Sequence, residues 1–552
     1  MAKDVFTILI GGKAGQGIKK AGTSIANFFN SLNREVFQVN DYPSLIRGGH
    51  NFSVISSSTE KIFSHYMNAD IVVALDKKSY DIHKNHVSKK GIIVYNSDEI
   101  DNKKGIGIDI NNISDEYDKS DLIKGVSGLS VLSAAIGQTK ESLEKIIKKE
   151  YPKNVEDNLN FAKKIYEACD KKIDKKFKLE KGKNKKTILD GNECIGLGAA
   201  AAGLDVYFAY PMTPSSGLLH FFAKNKEKLK LVAVHPENEI AVANMAIGSA
   251  FAGARTMVGT SGGGFCLMQE AFSLAGMCEA PVLFYLGQRP GPSTGVPTYT
   301  EQADLLMSLY PGQGEFPRIV ASPGSFEEAF YLTSEMMDLI WKFQTPGVLL
   351  SEKHLTESSK SIKISPDEAK WAEPLTQKSG KYKRYSDTDS GVSPMLFPPS
   401  EALIKWNSYE HDEQGLTTED PELITKMHNK RKKKLSSLIE YMGEINTVNV
   451  FGKGEPLIFT FGSTTMSVLE ALDYGEIDAT VVQPIYLNPF PTWELEKYRN
   501  KTHAIVVEQN STGQLESILR EKIGIKFKNS INKYDGRAFD PIDLAEKIKE
   551  VL

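Results

Sequence analysis

The chain has 552 residues, of which 67 are basic and 70 acidic, for a formal net charge of −3, with 41% hydrophobic and 25% charged residues. At roughly 100–200 residues per domain this length predicts three or four domains, and the ordinary globular balance excludes wholesale disorder. The near-neutral charge excludes nucleic-acid binding by bulk electrostatics; the four cysteines, Cys169, Cys194, Cys266 and Cys278, form no Cys-x-x-Cys pair, so neither a zinc nor an iron–sulfur framework is expected.

The opening apolar run, 5–10, ends at Gly11 and Gly12 and is too short for a secretory leader. No apolar run approaches bilayer length; the longest, 195–204, is rich in Ala and Gly and reads as a packed helix. A soluble, cytoplasmic protein that binds neither membrane nor nucleic acid is expected. Residues 1–170 alternate short β-branched runs (5–10, 36–39, 51–55, 71–75, 92–95) with helical segments. In the helix predicted over 18–32, Ile18, Ala21, Ile25, Phe28, Phe29 and Leu32 recur at helical spacing. Such alternation predicts an α/β sheet containing parallel strands. Residues 171–187, laden with lysine, read as a solvated linker.

Residues 188–355 are less polar and alternate again, with strands predicted near 205–209, 229–234, 256–258, 282–286 and 348–350. Residues 356–445 hold Pro394, Pro398, Pro399 and the charged run 428–434 and show no clear period before 435–442, so they read as an irregular interdomain region. Residues 446–552 restart as a small α/β domain, with strands near 456–460, 479–482 and 504–508 and a helix over 465–472. The fold class expected is therefore α/β, in three α/β domains.

The motifs lie at strand ends. GGKAGQG (11–17) joins a strand to a helix, a generic anion site through Gly12, Gly15 and Gly17, but it matches neither the P-loop nor the dinucleotide glycine order, and a structural tight turn explains it equally well. Ser44 and Arg47 sit in a second loop ahead of Gly48 and Gly49, where an arginine is well presented to a carboxylate or phosphate. In YPMTPSS (210–216), Pro211 and Pro214 flank and stiffen the turn around Thr213. Glu239 opens an almost wholly apolar helix, where a carboxylate is costly to bury without a partner; Glu237 is its nearest rival. TSGGGF (260–265) allows close backbone approach, and GQRPGPSTGVPT (287–298) holds Arg289 and Thr298 among prolines and glycines. Four such strand ends are the expected layout of a site at the carboxyl edge of a sheet.

Together with TEQADL (300–305), NPFP (488–491) and EQNSTGQL (508–515), these motifs give a sequence that closely resembles, over essentially its whole length, the alpha subunit of 2-oxoacid:ferredoxin oxidoreductases with a gamma domain fused at the N-terminus. The resemblance implies a gamma domain in 1–170, a thiamine-diphosphate-enzyme pyrimidine-binding domain in 188–355 and a transketolase-C-terminal-like domain in 446–552. It implies that Glu239 hydrogen-bonds the cofactor's aminopyrimidine as the catalytic residue, with Thr213 and Pro211 also at the cofactor. Arg289, Thr298, Thr213, Ser44 and Arg47 would bind substrate, and the Gly12–Gly15–Gly17 loop would serve coenzyme A or another anion. It implies oxidative decarboxylation of a 2-oxoacid, 2-oxoglutarate favoured, to acyl-CoA and CO2 with ferredoxin reduction. No metal ligand is expected in this chain: a beta subunit would carry the magnesium–diphosphate site and the iron–sulfur cluster and pass electrons to ferredoxin. Pyruvate or broad 2-oxoacid specificity, a non-catalytic scaffold and a nucleotide-binding redox subunit are the alternatives.

Overall fold

In the computed structural model, which describes residues 3–44, 49–101, 104–174, 176–377 and 381–552, the alternating runs assemble into three sheets. The first has eight strands. Ile106–Ile108, Val87–Asn96, Ala69–Ala74 and Val5–Gly12 run parallel, and Asn51–Ser58, Glu35–Asp41, Ser359–Ile362 and Thr187–Asp190 follow in antiparallel order. The last two strands flank the second sheet in sequence, so the first two units share hydrogen bonds rather than a mere linker. The expected helix is Ile18–Ser31, its apolar stripe buried on this sheet.

The second sheet has seven strands in the order Tyr486–Asn488, Ile319–Ala321, Gly347–Glu352, Val282–Gln288, Thr256–Thr260, Val206–Ala209 and Val232–Val234. All pairs are parallel except the first, whose outer strand is lent by the C-terminal part of the chain. A parallel sheet covered on both faces needs apolar residues on both, which is why these strands read as continuous apolar runs. Met257, Leu283 and Tyr285 face helices Gly191–Ala201, Ser216–Leu229 and Phe326–Phe343, while Val258, Phe284 and Leu286 face helices Glu239–Phe251 and Gly262–Cys278. The third sheet orders Val448–Phe451, Thr480–Pro484, Leu457–Phe459, Ala504–Glu508 and Asn529–Asn532, parallel apart from its first strand.

Two expectations are corrected. The lysine-rich stretch is not a free solvated linker: Arg34, only 1% exposed, donates to the Glu180 carbonyl at 2.9 Å, the Gly182 N–H reaches the Leu32 carbonyl at 2.9 Å, and Phe177 packs edge-on against Phe6. Lys186 pairs with Glu35 at 2.6 Å, and Lys172 and Lys176 donate to the Gly107 and Ala134 carbonyls at 2.7 and 2.9 Å, so long side chains as well as backbone groups tie the stretch to the first unit. The region read as irregular up to residue 434 contains a 22-residue helix, Pro421–Met442, started by Asp420, whose carboxylate caps the Glu422 and Leu423 N–H groups. Its period was hidden because the buried face carries Lys430, Arg431 and Lys434 instead of leucines.

Arg431 pairs with Glu410 at 2.6 Å, while the two lysines meet Glu279, a 2% exposed carboxylate at the C-terminus of helix Gly262–Cys278. Lys430 Nζ lies 2.8 Å from both carboxylate oxygens; Lys434 Nζ binds one of them and the Gln344 carbonyl at 2.9 Å. Arg384 donates to the Glu279 carbonyl at 2.9 Å and to Gln344 Oε1 at 2.7 Å. Gln344 ends helix Phe326–Phe343, so the cations also answer two helix C-termini. Burial pushes Lys430 and Lys434 below the usual lysine range, Glu279 pulling them back.

Among the described residues no helix is long and apolar enough to cross a membrane, and no three His, Cys, Asp or Glu side chains are grouped to hold a metal ion. Glu279→Ala would leave two buried lysines without their counter-charge and is expected to cost about 3–5 kcal/mol in urea denaturation, whereas Lys434→Met, which leaves Lys430 on the carboxylate, is expected to cost less than half of that.

Candidate active site

Strands Gly347–Glu352, Val282–Gln288, Thr256–Thr260, Val206–Ala209 and Val232–Val234 are consecutive parallel neighbours, so the loops that follow the last four open on one edge of the sheet. These are the loops bearing Thr213, Glu239, the 261–264 glycines and Arg289 with Thr298. The sheet thus brings together four of the predicted residues that lie up to 85 positions apart (298 − 213).

Asn238 caps helix Glu239–Phe251 by accepting from the Ala241 N–H at 2.9 Å, which makes Glu239 the first helical residue. Glu239 is 4% exposed, whereas its rival Glu237 is exposed. A methyl group at Gly264 would come within 2.9 Å of the Glu239 carboxylate and 2.1 Å of Thr260 Oγ1, so glycine is required for Glu239 to lie against the start of the next helix. Among the described residues no hydrogen-bond donor is paired with this carboxylate, and beside it Gly263 opens on free space. A buried carboxylate without a protein partner, next to a side-chain-free opening, fits a ligand ring that hydrogen-bonds it. Pro211 is exposed at the mouth of the same edge.

Arg289 Nη1 donates to the Thr213 carbonyl at 2.9 Å, so Thr213 takes part through its backbone. Among the described residues no carboxylate is in ion-pair contact with Arg289. Thr298 is 5% exposed and its Oγ1 has no partner among the described residues; the same holds for Gln288 Nε2 and Asp304 Oδ2. Burial pushes the Asp304 carboxyl up to about 6, with Glu301 adding and Arg289 pulling it back. A methyl group at Gly262 would stand 2.6 Å from Asp304 Oδ2, so this carboxyl looks directly onto the glycine turn. A guanidinium with no carboxylate in ion-pair contact among the described residues, on the same loop as an unpartnered hydroxyl, has the chemistry to receive a carboxylate.

The glycine turn and Ser44 follow strands Val5–Gly12 and Glu35–Asp41 of the first sheet. The 11–17 turn closes on itself: Gln16 is 2% exposed and its Oε1 accepts from the Lys13 N–H at 2.7 Å, filling the space over Gly12, while Gly15 is open and Gly17 caps helix Ile18–Ser31. Ser44 is exposed; Arg47 lies outside the described residues. The strand end at Asp41 nonetheless reaches the central loop, because Asp41 lies 3.4 Å from the Tyr299 hydroxyl. Between them is a cavity of about 470 Å3 lined by His50, His65, His83, His86 and His354, with Lys353 and Arg537. Here His83 Nε2 stands 2.7 Å from His50 and its Nδ1 3.1 Å from His86, and Ser79 links His50 to Asp76. Burial, with His50 and His86 adding, pushes His83 down to about 3. Sequence reasoning missed these histidines, since only the spacing of His83 and His86 was visible. It also gave no role to Gln302 and Asp304, although both stand in the quoted TEQADL motif.

Comparison with known proteins bears on this geometry. The family described as pyruvate flavodoxin/ferredoxin oxidoreductase, thiamine diphosphate-binding, matches residues 197–430, and the one described as pyruvate ferredoxin/flavodoxin oxidoreductase matches 7–168. A 2-oxoacid:ferredoxin oxidoreductase subunit alpha from Sulfolobus sp is 29% identical, over 99% of this chain and 96% of its own. The 2-oxoglutarate synthase subunit KorA of Archaeoglobus fulgidus is 30% identical, over 59% of this chain and 89% of its own. The solved 2-oxoglutarate:ferredoxin oxidoreductase from Magnetococcus marinus, with 2-oxoglutarate, coenzyme A and succinyl-CoA bound, superposes with a TM-score of 0.91 at 28% identity, covering all of both chains. With this likeness over its whole length, the chain belongs to the family of 2-oxoacid:ferredoxin oxidoreductase alpha subunits.

Proposed function

We propose that this chain is the alpha half of an enzyme that oxidatively decarboxylates 2-oxoglutarate to succinyl-CoA and CO2, with reduction of ferredoxin. The observation that carries the reading is Arg289, held by the Thr213 carbonyl at 2.9 Å and in ion-pair contact with no carboxylate among the described residues, on the same loop as the unpartnered Thr298 hydroxyl. A planar guanidinium can hold the substrate carboxylate through two parallel hydrogen bonds and so fix the bond to be broken. Glu239 would hold the aminopyrimidine of thiamine diphosphate, with Thr213 and Pro211 at its margin. When bound, that cofactor supplies the electron sink for loss of CO2. The chain's own share is to orient substrate, to place a carboxylate at the ring and to keep water from the apolar side of the site. Specificity for 2-oxoglutarate is supported by the names of the Archaeoglobus and Magnetococcus proteins; the pyruvate in the family descriptions supports pyruvate or broad 2-oxoacid use as the second reading.

Residues 1–170 then form a gamma domain, 188–355 the pyrimidine-binding domain and 446–552 a transketolase-C-terminal-like domain. Ser44, Arg47 and the Gly12–Gly15–Gly17 turn would serve coenzyme A or substrate. A cytoplasmic beta subunit would bring the magnesium–diphosphate site, the iron–sulfur cluster and the contact with ferredoxin. In this chain three cysteines are buried apart from one another and Cys266 is exposed, which does not make a cluster ligand set.

In the complex reconstituted with its beta subunit, kcat/KM for 2-oxoglutarate is expected to exceed that for pyruvate by about tenfold or more; equal values would favour the broad reading. Glu239→Ala is expected to lower turnover by ~10²–10⁴-fold with 2-oxoacid KM little changed, and unchanged turnover would remove Glu239 from catalysis. Because burial pushes the Asp304 carboxyl up to about 6 and its charge acts on Arg289, the KM for a 2-oxoacid should rise as pH increases through about 6, where a negative charge competes for the guanidinium. Asp304→Asn should flatten that rise.

A further inference from the structure

Gln302 lies where the 289–304 loop returns from Thr298 towards helix Leu305–Leu309, and it is completely buried. Every hydrogen-bonding position of its amide is used. Nε2 donates to the Phe461 carbonyl at 2.9 Å and to Glu352 Oε1 at 3.2 Å; Oε1 accepts from Thr464 Oγ1 at 2.7 Å and from the Gln509 N–H at 3.0 Å. Its backbone repeats the pattern, the N–H donating to the Gln509 carbonyl at 2.7 Å and the carbonyl accepting from Asn510 Nδ2 at 3.2 Å. Apart from Glu352, which ends the central strand, all of these partners belong to the C-terminal α/β unit.

The neighbours are held from the same side. The Thr300 N–H donates to the Gly536 carbonyl at 3.1 Å, and Gln514 accepts from the Leu306 N–H at 3.0 Å while donating to the Ala303 carbonyl at 2.8 Å. Tyr299 carries the Arg537 guanidinium 3.7 Å from its ring centroid. The base of the loop is closed by the Asp304 N–H on Gln288 Oε1 at 2.9 Å. Arg289 and Thr298 therefore ride on a loop whose returning limb is fastened to a different domain from the strand that launches it.

We propose that Gln302 is a positioning residue for the substrate loop, and that through it the C-terminal α/β unit sets the affinity for the 2-oxoacid. This rests on the reading of Arg289 and Thr298 as the carboxylate receptor. It also assigns a task to the EQNSTGQL motif: Glu508 and Asn510 cap the turn into helix Gln514–Ile523, and Gln509, held between them, presents both its backbone groups to Gln302.

The test uses the complex with its beta subunit. Gln302→Ala is expected to raise the 2-oxoacid KM about 10- to 100-fold with kcat changed by no more than about threefold. Thiamine diphosphate affinity, measured by calorimetry, should be unchanged, and amide hydrogen exchange over 289–300 should speed up with no such change over 239–251. An unchanged KM, or a loss of cofactor affinity and exchange protection across the whole domain, would overturn the proposal. A second variant guards against simple misfolding: Gln302→Glu keeps the length of the side chain but turns its two donated bonds, to Glu352 and to the Phe461 carbonyl, into oxygen–oxygen contacts, and should raise KM with cofactor affinity unchanged. An unaltered KM in Gln302→Glu would also overturn it. If Arg289→Ala leaves KM unaltered, the receptor reading fails; if Arg289→Ala raises KM and Gln302→Ala does not, only the positioning role fails.

Discussion

Parallel pairing in the central sheet is the constraint on which the rest of this molecule depends. Strands Val206–Ala209, Val232–Val234, Thr256–Thr260 and Val282–Gln288 run in one direction, so each connection must cross back over a face of the sheet and every outgoing loop must leave from the same edge. The helices that make those crossings bury both faces, which accounts for the long apolar runs and the small residues of the middle third. The same constraint leaves the edge loops without lateral support. Residues 289–304 form a long excursion with prolines at 290, 292 and 297, and their order is supplied by the C-terminal unit through Gln302 and by the first sheet through Asp41 and Tyr299.

Buried polar groups serve this architecture in two ways. At the joints they are satisfied: Gln302 makes its full set of hydrogen bonds, and Glu279 is met by Lys430, Lys434 and the Arg384-bound helix ends. Breaking such a centre strands its partners in a medium where an unpaired group costs about 1–3 kcal/mol. On the carboxyl edge, by contrast, Thr298 Oγ1, Gln288 Nε2 and Asp304 Oδ2 are buried and unpartnered among the described residues, and Glu239 has no donor there. Polar groups left open at that cost, on the edge that also carries Arg289, contrast with the paired groups of the joints and are what the proposed receptor rests on.

Much of the fold was legible because it rests on local periodicity. The apolar stripe of helix Ile18–Ser31 and the β-branched runs at 282–288 and 504–508 report one buried face or two without reference to any partner. Helix Pro421–Met442 escaped that reading because three of its buried positions are Lys430 and Lys434, whose burial makes sense only against Glu279 some 150 residues earlier, and Arg431, which pairs with Glu410. The short strands Thr187–Asp190, Ser359–Ile362 and Tyr486–Asn488 escaped it because each joins a sheet built mostly by another part of the chain.

For the site, Glu239, Arg289, Thr298 and Thr213 stood out as residue types in stiff or glycine-rich turns, and the chain alone was enough to mark them and their family. It could not rank Gln302, Asp304 or the cavity histidines, because a glutamine, an aspartate or a histidine acquires its role from what surrounds it. Glu352, pushed up to about 7 by burial, and His83, pushed down to about 3, owe those shifts to neighbours distant in sequence. Local pattern determined the elements, their order and the motifs at their ends, since these follow from backbone preference and the burial of nearby apolar faces. Only the tertiary structure decided which polar groups are paired and which are left open, since desolvation and hydrogen bonding depend on atoms brought together across three sheets.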